Sequence, residues 1–145
     1  MRFCPLNCDR SLTLLLGIDI TFSTSDIKAE WTKVWTQLLD ECSQNGIVTV
    51  IPAGNSGFGS LQDLSDFLPQ GLATSTSSTI VVGGVFSDGH FRVNTTLDFE
   101  QGPPAIGVYA QSSQVSGASG SSDTENVQYD GTSFASPAVV SVLNL

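Results

Sequence analysis

The sequence predicts an α/β protein built on a parallel sheet, and three observations carry that expectation. A stretch with apolar residues at helical spacing, residues 27–42, follows an alternating segment with Ile18, Ile20 and Phe22, which is the period of a strand. The β-branched run Ile47–Ile51 comes directly after it, and a second such run, Thr79–Val85, repeats the strand signal downstream. Strand, helix and strand joined by short connections need a crossover, and a crossover makes the two strands parallel.

The elements follow in order. Leu12–Phe22 is strand-like in its second part, and Ser23-Thr24-Ser25-Asp26 is a cluster of helix-capping residues. Ile27, Trp31, Val34, Trp35, Leu38, Leu39 and Cys42 form one apolar stripe, on which both tryptophans and the cysteine read as core residues. Asn45-Gly46 ends that helix in the left-handed conformation. Ile47–Ile51 is a buried strand running into the small-residue turn Ala53-Gly54-Asn55. Phe58–Ser78 is polar and loop-rich, apart from an amphipathic piece around Leu61, Leu64, Phe67 and Leu68. Ser87-Asp88-Gly89-His90 is a turn by composition. Ile106–Ala110 reads as a strand, Gln114–Glu125 as a Ser- and Gly-rich loop, and Val127-Gln128-Tyr129 leads to Asp130. A last helix, apolar on nearly every side, opens near Thr132, with Pro137 tolerated in a first turn that lacks N–H partners.

Composition narrows the function classes. The chain has 145 residues, one ordinary domain's worth, and five basic against fourteen acidic side chains leave a net charge of −9 and a pI near 4.1. Nucleic acid or an anionic membrane surface as partner needs basic patches that this balance does not supply, and no apolar run approaches the length of a membrane span. Cys4, Cys8 and Cys42 are an odd number with no metal-ligand partner nearby, so neither a complete disulfide set nor a metal site is expected. No cofactor is implied. Residues 1–16, with Arg2, Arg10 and a short leucine run, form an unassigned N-terminal segment without a clear signal-peptide pattern. Asn94-Thr95-Thr96 is a glycosylation sequon, meaningful only in a secreted chain.

The chemistry concentrates in two short stretches. Asp130-Gly131-Thr132-Ser133-Phe134-Ala135-Ser136-Pro137 sets Ser133 at a helix N-terminus, where free N–H groups and the positive end of the dipole favour a developing anion. Gly131 leaves the backbone room for a substrate, so Ser133 is the candidate nucleophile. A plain N-capping serine is the structural alternative. Upstream, Asn55 brings one amide donor to the carboxyl end of a strand, the edge where open parallel sheets bind ligands.

Together, in this order and seventy-eight residues apart, these motifs resemble the C-terminal half of a subtilisin-like serine protease domain (subtilase, peptidase family S8). The resemblance implies a three-layer fold, a mainly parallel sheet with helices on both faces, present here incompletely over residues 17–145. It implies a secreted serine endopeptidase acting on peptide or protein substrates, with Ser133 as nucleophile and Asn55 as oxyanion donor. Ser23, Thr24 and Ser25 would form the extended segment that pairs with substrate, although a glycine is usual at or near Ser25, and Ala53 and Gly54 would floor the specificity pocket. The sedolisins share the fold and the Gly-Thr-Ser nucleophile but carry aspartate at the oxyanion turn, so Asn55 favours the subtilisin branch.

A serine protease also needs a base and a group that orients it, and in subtilisin the order is Asp, His, Ser. Residues 1–54 contain no histidine. His90 follows Asn55 in a polar turn and reads as a solvated surface group, and Asp9, Asp19 and Asp26 lack the family's Asp-[Ser/Thr]-Gly context. The expectation is a partial subtilase, inactive as this chain stands. The alternative is a non-catalytic peptide binder of the same fold.

Overall fold

The computed structural model describes residues 14–15, 25–55, 64, 67–73, 78–90, 107–122 and 124–143. Strand β1 (Leu14–Leu15) is followed by helix α1 (Ser25–Gln44), β2 (Thr49–Pro52), a 3-10 turn at Gln70–Leu72, β3 (Thr79–Val85) and β4 (Val108–Gln111). A hairpin of β5 (Val115–Ala118) and β6 (Asn126–Tyr129) precedes helix α2 (Thr132–Leu143). The first four strands form one sheet in the order β1-β2-β3-β4, every neighbouring pair parallel. The crossover predicted from the periodicity is therefore present. Its first strand is Leu14–Leu15, ahead of position 17, and Ile18, Ile20, Phe22, Ser23 and Thr24 lie outside the described residues.

Proline ends a strand inside this sheet because of register. Thr49 donates its N–H to Ser78 and Ala53 donates to Val82, so odd-numbered residues of β2 face β3 with their amides. The amide that Pro52 lacks would point toward the β1 side, and among the described residues β1 pairs only with Thr49 and Val50, so no described ladder bond is lost.

The two faces are covered by different elements. Val50 and Val82 pack with Ala135 of α2, with Ile80, Val108, Ala110, Val139 and Val140 around them. The residues that alternate with these point the other way: Val81 packs with Ala53, Leu64 and Ala73, beside the 3-10 turn against which α1 lies. Gln70 ties that turn to the end of β2, its Nε2 donating to the Pro52 carbonyl at 3.0 Å. Leu64, Phe67 and Leu68, from the amphipathic piece, are all buried. Helices on both faces of a parallel sheet give the predicted three layers.

Four expectations need correction. The α1 stripe is only half packed. Trp35, Leu39 and Cys42 are buried, but Ile27, Trp31 and Val34 are 44%, 43% and 58% exposed, so the apolar stripe is wider than the face that packs. Trp31 is therefore not a core residue. Helix α2 is not apolar-buried all round: it presents Ala135 and Ser136 inward, while Val142 and Leu143 are exposed. Pro137 is the sixth residue of α2, past the first turn, and removes the donor that would bond the Ser133 carbonyl. Finally, Gln114–Glu125 is not all loop, since β5 pairs antiparallel with β6 from Val115↔Tyr129 to Ala118↔Asn126. Its strands are built largely of small and polar residues, which carry little strand signal.

Candidate active site

The carboxyl end of β2 and the amino end of α2 meet. Gly54, in a left-handed conformation with φ +100°, is gripped by one side chain. Its N–H donates to Thr132 Oγ1 and its carbonyl accepts from the same hydroxyl, both at 3.2 Å. Thr132 is fully buried, so this two-way bond satisfies three polar groups that water cannot reach. Asn55 then turns its amide toward the helix end, with Oδ1 accepting from the Thr132 N–H at 2.9 Å. That acceptor role fixes the orientation of the amide and leaves Nδ2 as the donor still to be used.

Gly131 explains itself in the same place. Its φ is +147°, and a Cβ there would sit 3.4 Å from Asn55 Nδ2, so a side chain would be both strained and pressed against the amide. A second anchor comes from β4: the Gly131 N–H donates at 2.7 Å to the carbonyl of Ser112, whose own N–H bonds Val85 of β3. Asp130 Oδ1 accepts from the N–H of Gln114 at 2.8 Å, and Gln114 holds a left-handed φ of 53°. Tyr129 stacks on Phe134 with ring centres 5.1 Å apart and donates its hydroxyl to Ala118. Three strands and a hairpin thus converge on the residues that flank Ser133.

Ser133 itself is exposed and second in α2. Thr132 N–H is taken by Asn55 and Phe134 N–H by the Gly131 carbonyl, while the Ser133 N–H has no acceptor among the described residues. An N–H at this position points at anything held in front of the helix. The arrangement offers a hydroxyl, a backbone donor and the Asn55 amide at one exposed corner, flanked by a buried polar framework.

The other predicted site residues are placed as follows. Ala53 is buried in the core beneath the Gly54 turn. Ser25 is the first residue of α1, and its two neighbours in the proposed substrate segment are outside the described residues. His90 is exposed in the turn after β3. Its N–H bonds Asp88 Oδ1 at 3.0 Å and its carbonyl accepts from Phe86, while its imidazole has no hydrogen bond among the described residues. Sequence reasoning passed over Thr132, Ser112 and Asp130 as site residues. The signal for Thr132 was a hydroxyl beside Ser133 in a stretch too apolar to solvate it.

Cys42 is free and buried, and Cys4, Cys8 and the Asn94 sequon lie outside the described residues. Among the described residues no cluster of His, Cys, Asp and Glu can hold a metal, and no helix is long and apolar enough to cross a membrane. Burial pushes the Tyr109 hydroxyl of β4 up to about 12.

No family model matches the sequence, and no curated protein is significantly similar to it. Solved structures do match the fold. The patellamide maturation protease PatG is 22% identical over 81% of this chain and 37% of its own, with a TM-score of 0.60. The PatG macrocyclase in complex with peptide is 20% identical over 90% of this chain and 34% of its own, at 0.61. The self-cleaved protease domain of PatA is 26% identical over 73% of this chain and 35% of its own, at 0.54. The chain spans a little over a third of the length of these structures, and what it shares with them is a partial subtilisin-like, protease-type fold.

Proposed function

We propose that the chain carries the nucleophile half of a subtilisin-like serine endopeptidase. Ser133 is the nucleophile, and the Asn55 side-chain amide and the Ser133 N–H are the oxyanion donors. The observation that carries this reading is the Thr132 N–H to Asn55 Oδ1 bond. It turns the amide so that its NH2 points away from Thr132, on the same helix end as the Ser133 N–H, which has no acceptor among the described residues. A tetrahedral intermediate needs two such donors on the developing oxygen, already in place before the reaction starts.

The proton chemistry does not close within the described residues. A serine hydroxyl is a poor nucleophile unless a base removes its proton, and the one histidine of the chain, His90, sits in an exposed turn with no hydrogen bond to its ring among the described residues. This reading requires a base, and a carboxylate to orient it, that the described residues do not supply. Substrate is a peptide chain, laid along the carboxyl edge of the sheet so that its carbonyl reaches Ser133. A non-catalytic peptide-binding role is the second reading, and it is favoured by that same isolated His90.

The test is labelling by a fluorophosphonate probe. The 145-residue chain is expected to show no more label than its Ser133→Ala variant. The chain extended by the sequence encoded directly upstream is expected to label and to cleave casein, and to lose both with Ser133→Ala. In subtilisin such a loss is about 10⁶ in kcat. An extended chain that binds peptide but never labels would establish the second reading instead. Labelling of the bare chain that disappears with His90→Ala would overturn the assignment of the base.

A further inference from the structure

Away from this site, the C-terminal end of α1 sets up a covalent change in the chain itself. We infer that Asn45 is a site of spontaneous modification, in which its side-chain amide closes on the backbone nitrogen of Gly46. The Gly46 nitrogen, giving up its proton to hydroxide, attacks Cγ of Asn45. A C–N bond forms, the Cγ–Nδ2 bond breaks, and ammonia leaves with a proton returned by water. The product is a five-membered succinimide. Water then adds to one of its two carbonyls, opening the ring to aspartate or to isoaspartate, in which the main chain runs through the side chain. Only water is consumed and only ammonia is released.

Three peptides in the chain place Asn or Asp, whose side chains close a five-membered ring, directly before glycine: Asn45-Gly46, Asp88-Gly89 and Asp130-Gly131. The structure separates them. At Asp130-Gly131 the attacking nitrogen is held at 2.7 Å by Ser112, a residue with no exposure, and the carboxylate is held by Gln114. Closing that ring means opening the nucleophile corner. At Asp88-Gly89 the nitrogen bonds Phe86 at 2.9 Å and the carboxylate bonds His90, and an ionised carboxylate is a poor acceptor for a nucleophile. Asn45 is an uncharged amide, and both it and Gly46 are exposed.

Nothing crowds the ring at Asn45. A Cβ on Gly46 would meet no atom within 4 Å, and glycine itself adds no bulk to the attacking nitrogen. The bonds to be released are Gly46 N–H to Ser43 at 3.1 Å and Asn45 Nδ2 to the Glu41 carbonyl at 2.7 Å. Both belong to the last turn of a helix, where opening is local and does not need global unfolding.

The change has a consequence for α1. A new carboxylate at a helix C-terminus faces the negative end of the dipole, four residues from Glu41. The isoaspartyl form also lengthens the backbone inside the turn that Gly46 to Ser43 and Ile47 to Cys42 bonds close.

The experiment is a time course on the folded full chain at mildly alkaline pH, read by peptide mapping and by isoaspartyl methyltransferase labelling. The expected result is a gain of one mass unit and an isoaspartyl signal that grow first in the peptide containing Asn45, and an aged fraction that melts at a lower temperature. Asn45→Gln, which would need a six-membered ring, and Gly46→Ala, which crowds the nitrogen, each suppress the signal, so either one reads if the other fails to fold. Conversion appearing first at Asp130-Gly131, or conversion at Asn45 only after urea unfolds the chain, would overturn the inference.

Discussion

The two helix ends that matter in this chain are closed in opposite ways. At the end of α1, Gly46 in the left-handed conformation lets its own N–H bond Ser43 and that of Ile47 bond Cys42. Every partner comes from the preceding turn, the arrangement of a Schellman motif. At the start of α2 the partners are Asn55, seventy-seven residues away from Thr132, and Gly54, seventy-eight away. The local closure satisfies the helix end from within its own last turn. The distant closure satisfies the flanking groups and leaves the Ser133 N–H without an acceptor among the described residues. An end that is finished by tertiary contacts can be finished incompletely, and the residue left over is where chemistry becomes possible.

The largest expected effect tests packing on α1, whose stripe is half buried and half open. Trp35→Ala should cost about 3–5 kcal/mol, the range for emptying a buried aromatic site, whereas Trp31→Ala should stay within about 1 kcal/mol. Urea midpoints at unchanged slope make the comparison. Equal losses would mean that the flank around Trp31 is packed after all.

Next comes the hydroxyl that links the two halves of the site. Thr132→Val keeps the branched shape but leaves the Gly54 N–H and carbonyl unpaired in a buried position. A loss of about 2–3 kcal/mol is expected, from the cost of stranding buried polar groups. At the end of α1 the closing bonds of Gly46 and Ile47 run between main-chain groups one turn apart, and the Ser78 hydroxyl adds a single bond to the Ile47 carbonyl. A Thr132→Val protein as stable as the parent would show that the joint is held by something else.

The paired glycines sharpen the contrast further. Gly131→Ala has to endure a disfavoured φ and a contact on the Asn55 amide, and should lose about 2–3 kcal/mol, the upper part of the range for strained backbone. Gly46→Ala meets the φ penalty alone, about 1 kcal/mol. Thermal unfolding of the two variants side by side would reverse the argument if Gly46→Ala proved the more damaging.

The same division between local and distant partners decides how much could be read from the sequence. Helix α1 and its Asn-Gly stop are signals carried by adjacent residues, and Thr79–Val85 was legible because a β-branched run bounded by turns is a local pattern. The joining of Asn55 to the Ser133 motif was visible only as a resemblance, since no spacing rule brings together residues so far apart. The hairpin of β5 and β6 went unseen because it is held by Tyr129, whose ring comes so close to Gly117 that a Cβ there would sit at 3.1 Å and also stacks on Phe134. The exposed flank of α1 was missed for the converse reason. Periodicity shows that Ile27, Trp31 and Val34 share a face with Trp35, but not how much of that face another element covers.

The smallest expected change in stability is also the one that separates structure from chemistry. In Asn55→Asp the Oδ1 acceptor survives, so the Thr132 N–H keeps its partner, now a charged one at the positive end of α2. That interaction is favourable by about 0.3–1 kcal/mol at an exposed helix N-terminus, and the folded carboxylate should titrate below its unfolded value. The gain is thus present above the usual carboxylate range and is lost as pH falls through the folded pKa. What disappears is the Nδ2 donor, and a negative charge now faces the position of the developing oxyanion. An upstream-extended chain that hydrolyses peptides should therefore lose at least about 10²–10³ in kcat, the size of effect seen when one oxyanion donor is removed, while its urea midpoint stays level or rises. Loss of stability together with activity would mean that Asn55 serves only to hold α2, and retention of both would remove it from the oxyanion site.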